Sequence, residues 1–452
     1  MVADEQARRT RRTVLVLFGA AILVNLVLLA LAHWPAPKRL IGDETYYFNL
    51  AKAIAAGQPA QHDSLWPPLY AELLALLFRL VGPSVLAVQA MQVALWLAAA
   101  WCFWRIVARL VPAAGTAALA LFLFTPELAA FSHYLWPETL HLALMLAALW
   151  LLICHGATGW AAAGAGLLLG LALLTKSLLW PVLLLVVLFT ALVKINGLSS
   201  RARVVNAALV GALALVTVLG ATSLARRGER PWPVAGSTVF NLWLGLTDTS
   251  RTDTQGASAG QEYARYVASA PDQATRDALT MAKIQGKVQD QGVVLTILKQ
   301  AGKQYFRLFN YQTFWTTQLP GGPRAAYAFD APLLAALLRV WSALYYAVVL
   351  AAGALGIASL RGRPLGWLHF LLLFIAYNLA IFLLLHVVTR YTVQFMPAWL
   401  VFAAAALVAG WGWLRRRQAP ELPGFVFTLP RLLVGGVLAA VCLLLAFGSL
   451  AF

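Results

Sequence analysis

The sequence predicts an all-α integral membrane protein of about eleven transmembrane helices, and two observations carry that expectation. Apolar residues make up 61% of 452 positions and charged residues only 11%, against about half and about a quarter in a soluble domain. The apolar residues also fall in uninterrupted stretches close to the ~20 residues a helix needs to cross a ~30 Å hydrocarbon layer. In lipid every backbone N–H and C=O must bond within protein, so these stretches are read as helices.

Spans are expected near residues 14–32, 85–107, 113–131, 137–154, 160–175, 178–193, 204–225, 333–358, 366–386, 392–413 and 431–450. The first ends in a small-residue pair, Ala30 and Ala32, that imitates a signal-peptide cleavage site. Its apolar stretch exceeds the ~7–15 residues of a signal core, so it is read as an uncleaved span. Residues 33–84 form the first external loop, with interfacial helix candidates at Thr45 to Ala56 and in PPLYAELLALLFRLVG. Residues 226–332 form a long external loop whose middle, TDTSRTDTQGASAGQ, is too polar for a core of its own. From Val293 to Phe314 that loop places Lys299, Lys303 and Arg307 at helical spacing between apolar and aromatic residues, the pattern of a helix lying in the membrane interface. The chain thus divides into an amino-terminal transmembrane module (1–225), the external loop (226–332) and carboxy-terminal helices (333–452), with no visible internal repeat.

A net charge of +17 would suggest nucleic acid in a soluble protein, but here the cations sit in short loops and act as topology signals. Arg8, Arg9, Arg11 and Arg12 precede the first span; Arg105 and Arg109 follow the second; Lys194, Arg201 and Arg203 follow the sixth. Arg361 and Arg363 follow the eighth, and Arg415 to Arg417 follow the tenth. With the amino terminus inside, every one of these loops is cytoplasmic. Carboxylates show the opposite bias. Apart from Asp4, Glu5 and Glu421 they fall on the external side: Asp43, Glu44, Asp63 and Glu72, then Glu127 and Glu138, then the loop 226–332. Avoidance of lipid explains the acid-free stretches from Thr139 to Gly228 and from Ala331 to Pro420, but not cytoplasmic loops nearly devoid of acids. Cys102, Cys154 and Cys442 lie inside apolar segments without metal-ligand spacing, so neither a disulfide framework nor a zinc site is implied.

Three constellations carry chemistry. IGDETYYFNLAKAI follows the first span and opens with Asp43 and Glu44. Carboxylates at a membrane boundary are costly unless they face water, a partner or a substrate, although compensation of a helix dipole would also place Asp43 there. SHYLWPETLHLAL starts the fourth span at Pro137 with Glu138 in its first turn, alone an ordinary helix start. LLTKSLLWP and HVVTRYTVQFMP put Lys176 and Arg390 in short outer turns. Either side chain is long enough to snorkel to head groups; an anionic ligand is the sharper alternative, since Lys point charges and Arg forks are what phosphates use. Carboxylates and cations on one surface are the combination that deprotonates a hydroxyl while holding a departing phosphate.

GDETYYFNLA, WPPLY, PETL, LLTKS, NLWLG (Asn241 to Gly245) and RYTVQFMPAWL, in this order over residues 14 to about 414, resemble the GT-C superfamily of membrane glycosyltransferases. More closely they resemble bacterial relatives of the protein mannosyltransferases and of the lipid A aminoarabinose transferase. The resemblance implies a GT-C fold in the bacterial inner membrane, working at the periplasmic face on a sugar carried by polyprenyl phosphate, in bacteria undecaprenyl phosphate. It implies Asp43 as catalytic base with Glu44 beside it, Glu138 as a second acidic site residue, and Lys176 and Arg390 at the lipid phosphate. Tyr46, His133, Tyr134, Asn241 and Tyr391 are the further candidate substrate contacts. The chain ends shortly after its eleventh expected span, so acceptor contacts made by a large carboxy-terminal soluble domain in some family members are not carried over.

The expected reaction is an inverting displacement at the anomeric carbon, with a periplasmic lipid, glycan or protein hydroxyl as acceptor and no nucleic acid involved. No cofactor is demanded; a divalent cation would draw on Asp43, Glu138 and His133, though no spacing requires one. A lipid-linked glycan ligase or polymerase would share such a site. A secondary transporter would instead place charges mid-span on repeated, broken helices, and a scaffold would tolerate loss of Asp43.

Overall fold

The computed structural model describes residues 2–58, 66–156, 158–194, 198–225, 237–247, 257–415 and 422–448. Asp63, Arg416, Arg417, Glu421, the boundary at 226 and most of the polar TDTSRTDTQGASAGQ stretch lie outside them. The described residues are helical throughout, apart from turns and one isolated bridge between Leu360 and Phe425. In order the helices are α1 (Val2–His33), α2 (Asp43–Ala55), α3 (Leu69–Val81), α4 (Val85–Leu110), α5 (Gly115–Phe124), α6 (Pro126–Phe131) and α7 (Glu138–Cys154). There follow α8 (Gly159–Leu173), α9 (Trp180–Leu192), α10 (Ser200–Ala225), α11 (Ser237–Thr247), α12 (Ala257–Ala268), α13 (Gln273–Gln291) and α14 (Val293–Leu308). The last are α15 (Phe314–Gln318), α16 (Pro332–Ala358), α17 (Trp367–Leu384), α18 (Thr392–Leu414) and α19 (Leu429–Phe447).

Seven of them are long and apolar enough to cross a membrane: α1, α4, α10, α16, α17, α18 with the turn before it, and α19. The chain is a multi-pass membrane protein. At four further expected spans the apolar helices are shorter: the stretch Pro112–Phe124, then α7, α8 and α9. The expected span 113–131 is broken where Thr125 leaves helical geometry and Pro126 starts α6, since proline suits a first helical position and not an interior one.

Burial orders the bundle. In the most apolar window of α18, 78% of residues are buried, against 17% in α1, so α18 is central and α1 sits at the rim with Leu15, Val16 and Leu23 outward. Exposed leucine and valine on α1, α10, α16 and α19 form the surface that lipid covers. Where helices touch, small residues set the distance. On α8 a β-carbon at Gly166 would stand 2.7 Å from the Val210 carbonyl oxygen, and one at Gly170 would stand 2.8 Å from that of Ala214, both on α10. This small-xxx-small spacing brings two backbones together without a hydrophobic drive between them.

The segments expected to form the external loops are helical as well. α2 and α3 fall where the first loop was expected to carry interfacial helices, and α11 to α15 run through the long loop. α14 turns Val293, Val294 and Leu298 outward and buries Gln300, Gln304 and Arg307, the polarity a helix adopts with lipid outside and protein inside.

Candidate active site

An open-mouthed cavity of about 810 Å³, counting the open space at its mouth, collects one residue or more from α2, α7, α11 and α17, from the turns after α8 and before α18, and from the Trp66–Pro67 segment. Asp43, Glu138, Lys176 and Arg390 all line it, together with Asn241 and Tyr391 among the sequence candidates. Every one of these comes from a segment that the loop charges assign to a single side of the membrane.

Asp43 is the first residue of α2. The chain enters there through Gly42 at φ 58°, a left-handed turn that suits glycine, and Gly42 supplies no side-chain cap. The Asp43 carboxylate does not turn back to cap the helix; Oδ2 accepts from Arg390 Nη2 at 2.6 Å. Glu138, the first residue of α7 after Pro137, receives Lys176 Nζ on Oε1 at 3.0 Å, with Arg390 Nε 3.8 Å from the same oxygen. Two carboxylates and two cations therefore form one chain of charge, Asp43–Arg390–Glu138–Lys176, whose sum is zero. Glu138 is 3% exposed and Asp43 27%, so Asp43 is the carboxylate that an incoming group reaches most readily. Glu138 Oε2 and Gln394 Oε1 are buried without a hydrogen-bond partner among the described residues, a state buried acceptors avoid unless a ligand or water supplies the donor.

Aromatic rings fix the cations. The Arg390 guanidinium lies 4.7 Å from the Trp136 ring centre, and Trp136 stacks on Tyr134 at 4.9 Å. Lys176 Nζ lies 5.2 Å from the Tyr391 ring, which stacks on Phe382 at 5.2 Å. Burial, with Arg390 nearby, holds the Lys176 ammonium below its ordinary value of 10.5, and Glu138 offsets part of that shift.

The remaining sequence candidates are placed elsewhere. Glu44, next in the chain to Asp43, does not line the cavity. Its side chain is 0% exposed; the carboxylate accepts from Lys38 Nζ at 2.7 and 3.0 Å and from the backbone N–H groups of Ile41 and Leu135, each at 3.1 Å. Successive helical residues point about 100° apart, so one acid faces the cavity and the other faces the protein. Tyr134 is fully buried beneath Trp136, with Lys38 Nζ 4.6 Å from its ring, and Tyr46 packs edge-on to Tyr47 beside Trp66. His133 is buried against α1, its Nε2 2.9 Å from Asn25 Oδ1. Burial, then the neighbouring His33 and Lys38, push its pKa down to about 3, so it stays neutral.

The geometry does not bring Asp43, Glu138 and His133, the residues on which a divalent cation would draw, together. His133 faces α1, both carboxylates are engaged by cations, and no group of three or more His, Cys, Asp or Glu side chains converges among the described residues. That donor set does not fit a divalent cation.

Lys38, Trp136, His386 and Gln394 escaped the sequence reading. Gln394 and His386 flank Arg390 at one turn's distance in HVVTRYTVQ, and a polar residue recurring at helical spacing beside a charge was the available signal. α11 brings in Asn241, and Gly245 lets it approach α17: a β-carbon there would stand 2.7 Å from the Leu385 backbone. Gln300, Lys303 and Gln304 of α14 all donate to the Gly245 carbonyl, at 3.1, 2.5 and 3.2 Å, and His386 N–H donates to the Asn241 carbonyl at 2.9 Å.

No protein-family model and no curated protein matches the chain. Among solved structures it is similar to ArnT from Cupriavidus metallidurans bound to undecaprenyl phosphate, at 15% identity over 94% of this chain and 84% of that one, with a TM-score of 0.40. It is also similar to apo ArnT from the same organism (15% identity, 87% and 76% covered, TM-score 0.36). A third similarity is to the archaeal oligosaccharyltransferase AglB from Archaeoglobus fulgidus in complex with an inhibitory peptide and a dolichol-phosphate (13% identity, 94% and 55% covered, TM-score 0.39).

Proposed function

We propose that the protein is an inverting GT-C glycosyltransferase of the bacterial inner membrane. It moves a sugar from a polyprenyl phosphate, undecaprenyl phosphate in bacteria, to a hydroxyl of a periplasmic lipid, glycan or protein. The observation that carries the reading is the convergence of Asp43, Glu138, Lys176 and Arg390 in one cavity among helices that lipid surrounds. Lys176 and Arg390 seat the phosphodiester of the donor. Leu178, Phe382 and Leu385 supply apolar wall, and Glu138 Oε2 and Gln394 Oε1 are acceptors for sugar hydroxyls. Asp43, the more exposed carboxylate, is the base.

The charges balance through the reaction. The acceptor oxygen attacks the anomeric carbon as its proton passes to Asp43, and the bond from that carbon to the phosphate oxygen breaks. Polyprenyl phosphate leaves with one more negative charge than the diester carried, and Asp43 has lost one. Two cations held before the reaction begins stabilise the developing charge without reorganisation. Glu44 is closed off by Lys38 and two backbone amides and holds the start of α2 in place; the base is assigned to Asp43 alone.

The test is mass spectrometry of envelope glycolipids and glycoproteins from a strain lacking the chain, complemented with wild type or Asp43→Asn. A glycan species present with wild type and missing with the variant at equal protein level is expected. Identical profiles in all strains would refute the enzymatic reading.

A further inference from the structure

Arg390 has two anionic partners in the same cavity, one resident and one proposed, and its geometry lets it exchange them. The resident partner, Asp43, occupies Nη2 at 2.6 Å while its side chain remains 27% exposed, so a competitor can approach. Neither residue has to follow the other when the contact breaks. The guanidinium is held on its face by Trp136, 4.7 Å away, in a stack that continues to Tyr134. The start of α2 is held from the opposite side by Glu44, bonded to Lys38 and to the Leu135 amide of the same turn that carries Trp136. Adjacent residues Asp43 and Glu44 are thus tied to the two ends of one stack, Lys38–Tyr134–Trp136–Arg390.

We infer that the Asp43–Arg390 contact is an internal inhibitor, released when a lipid phosphate binds. While paired, Asp43 Oδ2 is occupied by the Arg390 N–H, so an acceptor hydroxyl cannot donate to that oxygen. A phosphodiester that takes Nη2 replaces Asp43 as its acceptor and leaves Oδ2 free to accept from the acceptor hydroxyl. The donor therefore binds before the acceptor, and Asp43 is released only when a lipid phosphate is in place. This rests on the reading of the cavity as a polyprenyl-phosphate site.

A resident anion competes with the ligand, so removing its charge strengthens binding. Undecaprenyl phosphate is titrated into the full-length protein in phosphatidylcholine nanodiscs, with phosphatidylglycerol as a second ligand to separate the polyprenyl phosphate from ordinary anionic lipid. Asp43→Asn, a neutral isostere, is expected to bind undecaprenyl phosphate about three- to tenfold tighter than wild type while losing turnover. In the wild type the carboxylate infrared band of Asp43, identified by its absence from the variant, is expected to shift on binding. Wild-type binding with equal or weaker affinity in Asp43→Asn, or no band shift, overturns the exchange and leaves the glycosyltransferase reading standing. A wild type that binds phosphatidylglycerol as well as undecaprenyl phosphate, or binds neither, removes that reading and the exchange with it.

Discussion

Asp43 and Lys176 carry the sharpest consequences at the scale of single residues. Loss of general-base help is typically worth ~10² to 10⁴ in rate. Asp43→Asn is therefore expected to lower turnover by that order while the protein elutes and melts as wild type does, measured by product formation and thermal unfolding in detergent. Lys176 gives the pH dependence. Its ammonium is held below 10.5 by burial, and only the protonated form attracts an anion. A phosphodiester keeps one charge across neutral and alkaline pH, so the titration reads the protein. Affinity for the phosphodiester donor is expected to be flat below the lowered pKa of Lys176 and to fall as pH rises through it, with a midpoint under 10.5. In Lys176→Arg, whose guanidinium keeps its proton throughout, affinity should stay flat over the same range; an unchanged midpoint would assign the titration to another group. Lys176 and Arg390 were legible in the sequence because a charge in a short outer turn is conspicuous, Asp43 because an acid follows the first span, and Glu138 only through the family resemblance. The opposite fates of Asp43 and Glu44 were not. Adjacent acids differ only in the side of a helix they occupy, and which side is inward depends on α7 and α18, far away in sequence.

At the scale of elements, the first loop is fastened to the turn before α7 through Glu44, which accepts from the Leu135 N–H at 3.1 Å and pairs with Lys38, their side chains 0% and 1% exposed. Removing one member of a buried pair leaves an uncompensated charge and costs about 3 to 5 kcal/mol, whereas replacing both with neutral groups costs far less. Lys38→Met is expected to unfold well below wild type, and Lys38→Met with Glu44→Gln to recover most of the loss; thermal unfolding in detergent reads both. A double variant no better than the single one would show that packing, and not charge, decides the site. The contact of α8 with α10 rests on glycine. Gly170→Leu drives a side chain into Ala214 and Thr217, and overpacking of this kind typically costs ~1 to 3 kcal/mol, visible as a lowered melting temperature. Long helices such as α1, α4 and α16 were legible from composition alone, since a long apolar run bounded by charge has few alternative structures. The interruption at Thr125 and the shortness of α7 to α9 were less so, because hydropathy registers burial in protein and burial in lipid alike.

At the scale of the whole molecule, residues from the first loop, the turns before α7, after α8 and before α18, and the long loop meet in one cavity although they span the sequence from 43 to 394. The loop charges assigned these segments to one side of the membrane, but gave neither their contacts nor their distances, which depend on how far each helix sinks into the bundle. The central claim is that Lys176 and Arg390 seat a polyprenyl phosphate beside Asp43. Electron cryomicroscopy of the protein in nanodiscs with undecaprenyl phosphate tests it most directly. The expected result is phosphate density within hydrogen-bonding distance of Lys176 Nζ and the Arg390 guanidinium, with the chain of isoprene units leading toward lipid. Density for the phosphate away from both cations, or a cavity unchanged at saturating ligand, would contradict it.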